Sequence, residues 1–134
     1  MRDDLIIELL PPVQHDPDYW EALYPVRPLP AGATVTRFAP SPTGFVHIGG
    51  VYTASISQSV AHGSGGTYFV RIEDTDQARE VADAAAQFDR AFAYFGIGSD
   101  ERSEQVPWGP YLQSQRGDIY LTYVRELLRS GAAY

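Results

Sequence analysis

One stretch constrains this chain more than any other: Arg37-Phe-Ala-Pro-Ser-Pro-Thr-Gly-Phe-Val-His-Ile-Gly-Gly50, answered by Arg71-Ile-Glu-Asp-Thr-Asp76. Ahead of the first motif, Thr34-Val-Thr-Arg-Phe38 alternates and is β-branched, which predicts a strand over residues 33–39. The strand runs into a turn stiffened by Pro40 and Pro42, which fix φ on either side of Ser41. Thr43 adds a second hydroxyl and Gly44 a flexible corner. Gly49 and Gly50 open a helix without side chains, so an anion can approach the backbone N–H groups of its first turn. A phosphate site at the carboxyl edge of a parallel sheet requires this arrangement.

The pattern on either side supports that reading. Gly49 to His62 reads as a helix stopped by Gly63, with Val51, Ala54, Ile56 and Val60 inward. After a turn over residues 63–66, Thr67 to Ile72 reads as a buried strand. Val81, Ala84 or Ala85, Phe88, Phe92 and Phe95 then recur at helical spacing, with Asp76 placed to cap the helix and Gly96 to end it. Residues 97–113 read as loop. Ser114 is placed to cap a last helix carrying Ile119, Tyr120, Tyr123, Val124, Leu127 and Leu128, halted at Gly131. Strands joined through helices imply a parallel sheet with right-handed crossovers, and so an α/β fold.

Residues 1–33 read as an irregular lead-in arm, because prolines 11, 12, 17, 25, 28 and 30 leave room for only one short helix, around Asp18 to Tyr24. Asp16 or Pro17 would start it, and Tyr19, Trp20 and Tyr24 would pack on the core. The apolar run Leu5 to Leu10 is far short of the roughly 20 residues of a membrane span and lacks the basic start of a signal peptide. The expected compartment is the cytoplasm, with no membrane partner. With 134 residues the chain has length for one compact core, and with no cysteine it can hold neither disulfides nor thiolate-bound metal.

Charge sharpens the picture. The net −7 argues against a simple basic nucleic-acid module. Residues 37–72 contain Arg37 and Arg71 and no acid, so the one positive stretch coincides with the phosphate turn. All ten basic residues are arginine.

Each candidate residue has a functional and a structural reading. His47 either donates a hydrogen bond to a phosphate whose charge rises in the transition state or simply faces solvent. Arg37 either grips a carboxylate through its planar fork or forms an ion pair with Glu73 or Asp74. Among Glu73, Asp74 and Asp76, one is suited to hold an ammonium group, while Asp76 is better read as a helix cap. No histidine stands beside these acids, so no metal site is read here; magnesium would arrive with a nucleotide. His62, at a helix end, reads as structural. The loop from Trp108 to Arg116 either touches a polynucleotide or covers the core.

Taken together, Arg-Phe-Ala-Pro-Ser-Pro-Thr-Gly with His-Ile-Gly-Gly, Arg-Ile-Glu-Asp-Thr-Asp, and Gly109-Pro-Tyr-Leu-Gln-Ser-Gln-Arg116 resemble the glutamyl-tRNA synthetase family, class I aminoacyl-tRNA synthetases, over residues 37–134. The His-Ile-Gly-Gly run is similar to that family's HIGH signature, with Gly50 in its last position. The resemblance implies the first half of a Rossmann-type nucleotide-binding domain, parallel strands flanked by helices, over residues 34–134. It implies ATP-dependent activation of glutamate and transfer to the 3′ end of tRNA(Glu).

By motif position Arg37, Ala39, Ser41 and Glu73 would bind L-glutamate. Pro40, Thr43, His47, Gly49 and Gly50 would bind ATP, brought with Mg2+, and His47 would act in catalysis. The family's lysine-bearing KMSKS loop has no counterpart among these residues. The chain is therefore expected to be catalytically incomplete by itself, with weak ligand binding and a further strand expected after Tyr134. The alternatives are the related enzyme that glutamylates queuosine in tRNA(Asp), a non-catalytic binding or regulatory module that self-associates through an open sheet edge, and a small nucleotidyltransferase, which nothing in the second motif favours.

Overall fold

The structure, a computed structural model, describes residues 3–76, 78, 83–101 and 108–134. Its elements are α1 (Asp3–Leu9), α2 (Pro17–Leu23), β1 (Val35–Phe38), α3 (Ile48–Gly63), β2 (Thr67–Val70), α4 (Ala84–Phe95), a 3-10 turn (Gln113–Arg116) and α5 (Gly117–Ser130). Contacts divide them into two compact units: residues 26–115, and residues 1–25 together with 116–134.

In the first unit β1 and β2 pair in parallel, Val35 opposite Thr67 through Phe38 opposite Val70, with α3 as the connection. This is the α/β arrangement expected from the alternation of strand and helix patterns. The ladder continues past both strands: Arg71 N–H donates to the Phe38 carbonyl at 3.0 Å and Glu73 N–H to the Pro40 carbonyl at 2.8 Å. Beyond them Ile72 forms an isolated parallel bridge with Leu112. The two motifs are thus stitched together through their backbones.

The core of this unit is Val51, Ala54 and Ala61 of α3, Tyr68 of β2, Phe88 and Phe92 of α4, and Ile97, with Phe38, Val46, Val70 and Ile72 packed on it. Ile56 and Val60 depart from expectation, at 46% and 51% exposed. At 100° per residue they fall on the side of α3 opposite Val51 and Ala54, and the true inner row is 51, 54 and 61. Phe95 is likewise half exposed at the end of α4, and of β2 only Tyr68 is fully buried. β2 also ends at Val70 rather than Ile72.

α4 is described from Ala84, with Asp83 in the N-cap position at φ 61°, so Asp76 is not its cap. Val81 lies outside the described residues. Gly96, at φ 68°, ends the helix as expected.

In the second unit α1 and α2 pack against α5. α1 corrects the expectation of a single helix in the lead-in. Pro11 and Pro12 follow its C-terminus and so stop a helix rather than forbid one, and α1 buries Ile6 completely. α2 starts as expected, with Asp16 accepting from Tyr19 N–H at 2.9 Å and Pro17 in its first turn. Its Trp20 indole donates to Thr122 Oγ1 of α5 at 3.1 Å, and Arg125 Nη2 of α5 donates to the Leu10 carbonyl at 3.0 Å.

The buried face of α5 is therefore Ile119, Thr122 and Arg125, whereas Tyr120, Tyr123, Val124 and Leu127 are exposed. Of the apolar residues the sequence placed on this helix Ile119 is buried, beside two polar side chains that make hydrogen bonds. Ser114 is not the cap of α5 either; it lies in the preceding 3-10 turn, and Arg116 holds the N-cap position. Gly131 ends the helix at φ 75°. Among the described residues no helix is long and apolar enough to cross a membrane.

Candidate functional site

The Pro40–Ser41–Pro42 turn leaves the carboxyl end of β1 with both prolines buried and Ser41 exposed. Thr43 Oγ1 donates to Ser41 Oγ at 3.3 Å, so the two hydroxyls face each other across the turn. α3 begins at Ile48 with His47 as N-cap, in extended backbone and without a side-chain cap. The His47 carbonyl accepts from Gly50 N–H at 3.0 Å and Val51 N–H at 3.2 Å. Gly50 therefore offers a bare surface but not a free N–H.

The His47 imidazole lies over Gly49. A Cβ added at Gly49 would stand 3.0 Å from both Cε1 and Nδ1 of that ring. No acid occupies the first turn of α3, so its positive end is left for an anion from outside.

These features surround one cleft of about 410 Å³, on whose wall Ala39, Pro40, Ser41, Thr43, His47, Gly49 and Gly50 all appear. Seven of the nine sequence-derived site residues are thus brought together. The same wall includes residues that sequence reasoning did not assign to a site: Phe38, Phe45, Thr53 and Phe88. Thr53 carried a usable signal, since it stands one helical turn after Gly49 and its hydroxyl donates to the Gly49 carbonyl at 2.9 Å. Phe88 carried none beyond its place in a core pattern.

Arg37 and Glu73, the other two, do not line this cleft. They face each other, with Arg37 Nη1 2.6 Å from Glu73 Oε1, and each side chain is 35% exposed. Arg71 Nη2 also approaches that oxygen, at 3.7 Å. Two arginines thus approach one glutamate at the end of the sheet.

The neighbouring carboxylate behaves differently. Asp74 is buried and accepts from Ser114 through both oxygens. Burial alone would raise its pKa, but these hydrogen bonds outweigh burial and hold it below the usual carboxylate range.

In the stretch over residues 108–116 no residue is fully buried, and Ser114 and Gln115 are exposed. Arg27 stacks over the Trp108 ring at 4.8 Å and binds Glu101, with Nη2 2.8 Å from Oε2. Tyr111 donates its hydroxyl to the same oxygen at 2.6 Å. His62, read as structural, pairs with Asp100 at 2.8 Å. Among the described residues no group of three His, Cys, Asp or Glu side chains is placed to hold a metal.

Comparison with known proteins supplies the context. A family model for "tRNA synthetases class I (E and Q), catalytic domain" matches residues 33–134. The glutamate–tRNA ligase of Clostridium perfringens strain 13 is 47% identical over 131 residues, covering 94% of this chain and 24% of the relative. That of Acetivibrio thermocellus is 40% identical over 131 residues, with the same coverage. The crystal structure of the glutamate–tRNA synthetase from Elizabethkingia anophelis superposes with a TM-score of 0.67 at 41% identity, over 72% of this chain and 20% of that one. The chain spans about a quarter of the length of the curated relatives it matches.

Proposed function

Since the chain belongs to the class I tRNA synthetase (E and Q) catalytic-domain family, we propose that it supplies the amino-acid and phosphate side of a site that activates glutamate with ATP and charges tRNA(Glu). The observation that carries this reading is the Arg37–Glu73 pair standing at the end of the sheet that also carries the phosphate cleft. A ligand with a side-chain carboxylate and an α-ammonium group exchanges with both members of that pair at once. Arg37 takes the carboxylate and Glu73 the ammonium, with Ala39 and Ser41 beside them.

The phosphates of ATP lie against Pro40, Thr43, Gly49 and Gly50, at the uncompensated N-terminus of α3. The α-carboxylate of glutamate attacks the α-phosphorus and pyrophosphate leaves. A hydroxyl of the terminal ribose of tRNA then takes the glutamyl group from the adenylate, losing its proton as AMP leaves. His47 donates to the phosphate oxygens as their charge rises, so the protein contributes position and electrostatics rather than a covalent bond. Mg2+ enters with ATP as part of the substrate. Residues 1–33 act as a lead-in arm and residues 34–134 as part of the catalytic domain, working in the cytoplasm.

Titration of the 15N-labelled chain separately with L-glutamate and with MgATP tests the reading. Glutamate should shift the amides of Arg37, Ser41 and Glu73, and ATP those of Thr43, His47 and Gly49. Shifts at neither set overturn the reading. The chain contains no lysine to stand in for the family's second ATP signature, so by itself it should not charge tRNA. Glutamyl-tRNA formed by the purified chain, free of host enzyme, would refute that part.

A second reading, self-association, is favoured by one observation: among the described residues β1 pairs only with β2, leaving its outer edge open. Sedimentation should then show a dimer that a proline at Val35 dissolves, whereas a monomer at all concentrations removes this reading.

A further inference from the structure

We propose that Asp74 and Ser114 form a latch that positions the Glu73 carboxylate against Arg37, making both residues positioning elements of the amino-acid site. The proposal rests on the reading of Glu73 as the ammonium holder. Asp74 is 8% exposed, and an ionised carboxylate at that depth is tolerated only when its oxygens are satisfied. Ser114 supplies two of the bonds that do this: its N–H donates to Oδ1 at 2.8 Å and its Oγ–H to Oδ2 at 2.6 Å. Such paired, charge-assisted bonds fix both the distance and the tilt of the carboxylate.

Glu73 is the adjacent residue, and its N–H carries the ladder onto the Pro40 carbonyl beyond the end of β2. Anchoring Asp74 inward therefore sets the direction in which Glu73 leaves the chain. The backbone around them is tied from both flanks. Glu73 N–H donates to the Pro40 carbonyl at 2.8 Å, while Ile72 N–H donates to the Tyr111 carbonyl at 3.0 Å and Gln113 N–H to the Ile72 carbonyl at 2.9 Å. The far side is itself fastened, through the Tyr111 hydroxyl on Glu101. Against this fixed frame the Ser114 bonds hold the Asp74 carboxylate just past Glu73.

The latch is tested in the 134-residue chain with Ser114→Ala, with Ser114→Thr as the conservative control, and with Ser114→Cys, a weaker donor of similar size, in case the alanine variant does not fold. The first readout is the 13C resonance of the Glu73 carboxyl carbon, calibrated by Arg37→Ala. In Ser114→Ala it should move toward its Arg37→Ala position, and in Ser114→Thr it should stay with wild type.

The second readout is ligand affinity. Glutamate should bind about five- to tenfold more weakly to Ser114→Ala, the worth of one ordinary hydrogen bond, with MgATP affinity unchanged and Ser114→Thr near wild type. An unmoved Glu73 resonance overturns the latch, as does equal loss of glutamate and ATP affinity, which would mark a merely structural role. If wild type binds no glutamate, the site assignment falls, while the Glu73 resonance still decides the latch.

Discussion

Gly66 is the position where a single methyl group should do most damage without touching a site residue. It lies in the turn between α3 and β2. A Cβ there would stand 1.9 Å from the Thr34 carbonyl oxygen, 2.7 Å from its carbonyl carbon and 2.8 Å from its nitrogen. All three are backbone atoms, so no side chain can swing away. An ordinary carbon–oxygen contact needs about 3.3 Å, so Thr34 must retreat by roughly 1.4 Å.

That retreat breaks the Thr67 N–H bond to the Thr34 carbonyl, at 3.3 Å the first rung of the parallel ladder, and strains the Thr34 N–H bond to Ser64 Oγ at 2.8 Å. One to two lost bonds at about 1 kcal/mol each, with overpacking at about 1–3 kcal/mol, put the cost of Gly66→Ala at about 2–5 kcal/mol. For a chain of 134 residues this lowers Tm by about 7–18 °C. Gly63, three residues earlier, is the control: a Cβ there meets nothing within 4 Å. Gly63→Ala should leave stability unchanged or raise it by up to about 1 kcal/mol. Thermal and urea unfolding of the two variants decide the matter; equal losses, or a Gly66→Ala loss under about 1 kcal/mol, would refute the close-approach argument.

Three further outcomes follow from other contacts. Gly49→Ala pushes the His47 ring, which stands 3.0 Å from the new Cβ, and should weaken ATP binding several-fold while leaving glutamate binding intact, as titration would show. Burial opposes ionisation of Glu101, but Arg27 and Tyr111 outweigh it and hold its pKa below the usual range, and Asp74 is held low by Ser114. Their stabilising contribution is present above the unfolded pKa values of about 3.9 for Asp74 and about 4.3 for Glu101 and is lost as pH falls through their lower folded values. Urea midpoints should therefore drop below about pH 4.5, less steeply in Glu101→Gln. Tyr68 is pushed up to about 12 by burial and then by the Asp100 charge, so its contribution is full below its ordinary pKa and is lost as pH rises toward 12. Its buried hydroxyl has no hydrogen-bond partner among the described residues; Tyr68→Phe should remove this alkaline loss and leave neutral stability equal or higher.

The parts of the fold legible in the sequence were those where local signals agree. The strand before Pro40, the helix after His47, and the stops at Gly96 and Gly131 each rest on backbone chemistry that neighbours do not override. The cleft was legible for the same reason, since its wall, Phe88 apart, lies within residues 38–53. What failed was the choice of helix face. Ile56 and Val60 are apolar yet lie outward on α3, whereas Thr122 and Arg125 are polar yet lie inward on α5, where Trp20, His15 and Leu10 give them hydrogen bonds. Burial of a polar side chain depends on a distant partner, which periodicity cannot register. Asp74 and Ser114 were hidden similarly: forty positions apart, they looked like a carboxylate spare and a helix cap, and only the fold makes them partners.

The central claim is that Arg37 and Glu73 grip opposite ends of one amino acid, and a matrix of affinities tests it most directly. Wild type, Arg37→Ala and Glu73→Gln are each titrated with L-glutamate, L-glutamine and glutarate, with binding read from amide shifts. Wild type should prefer glutamate over both analogues. Arg37→Ala should lose the preference over glutamine while keeping that over glutarate, and Glu73→Gln should do the reverse. If both variants lose both preferences equally, or if neither changes them, the two residues do not hold separate ends of the ligand and the account is wrong.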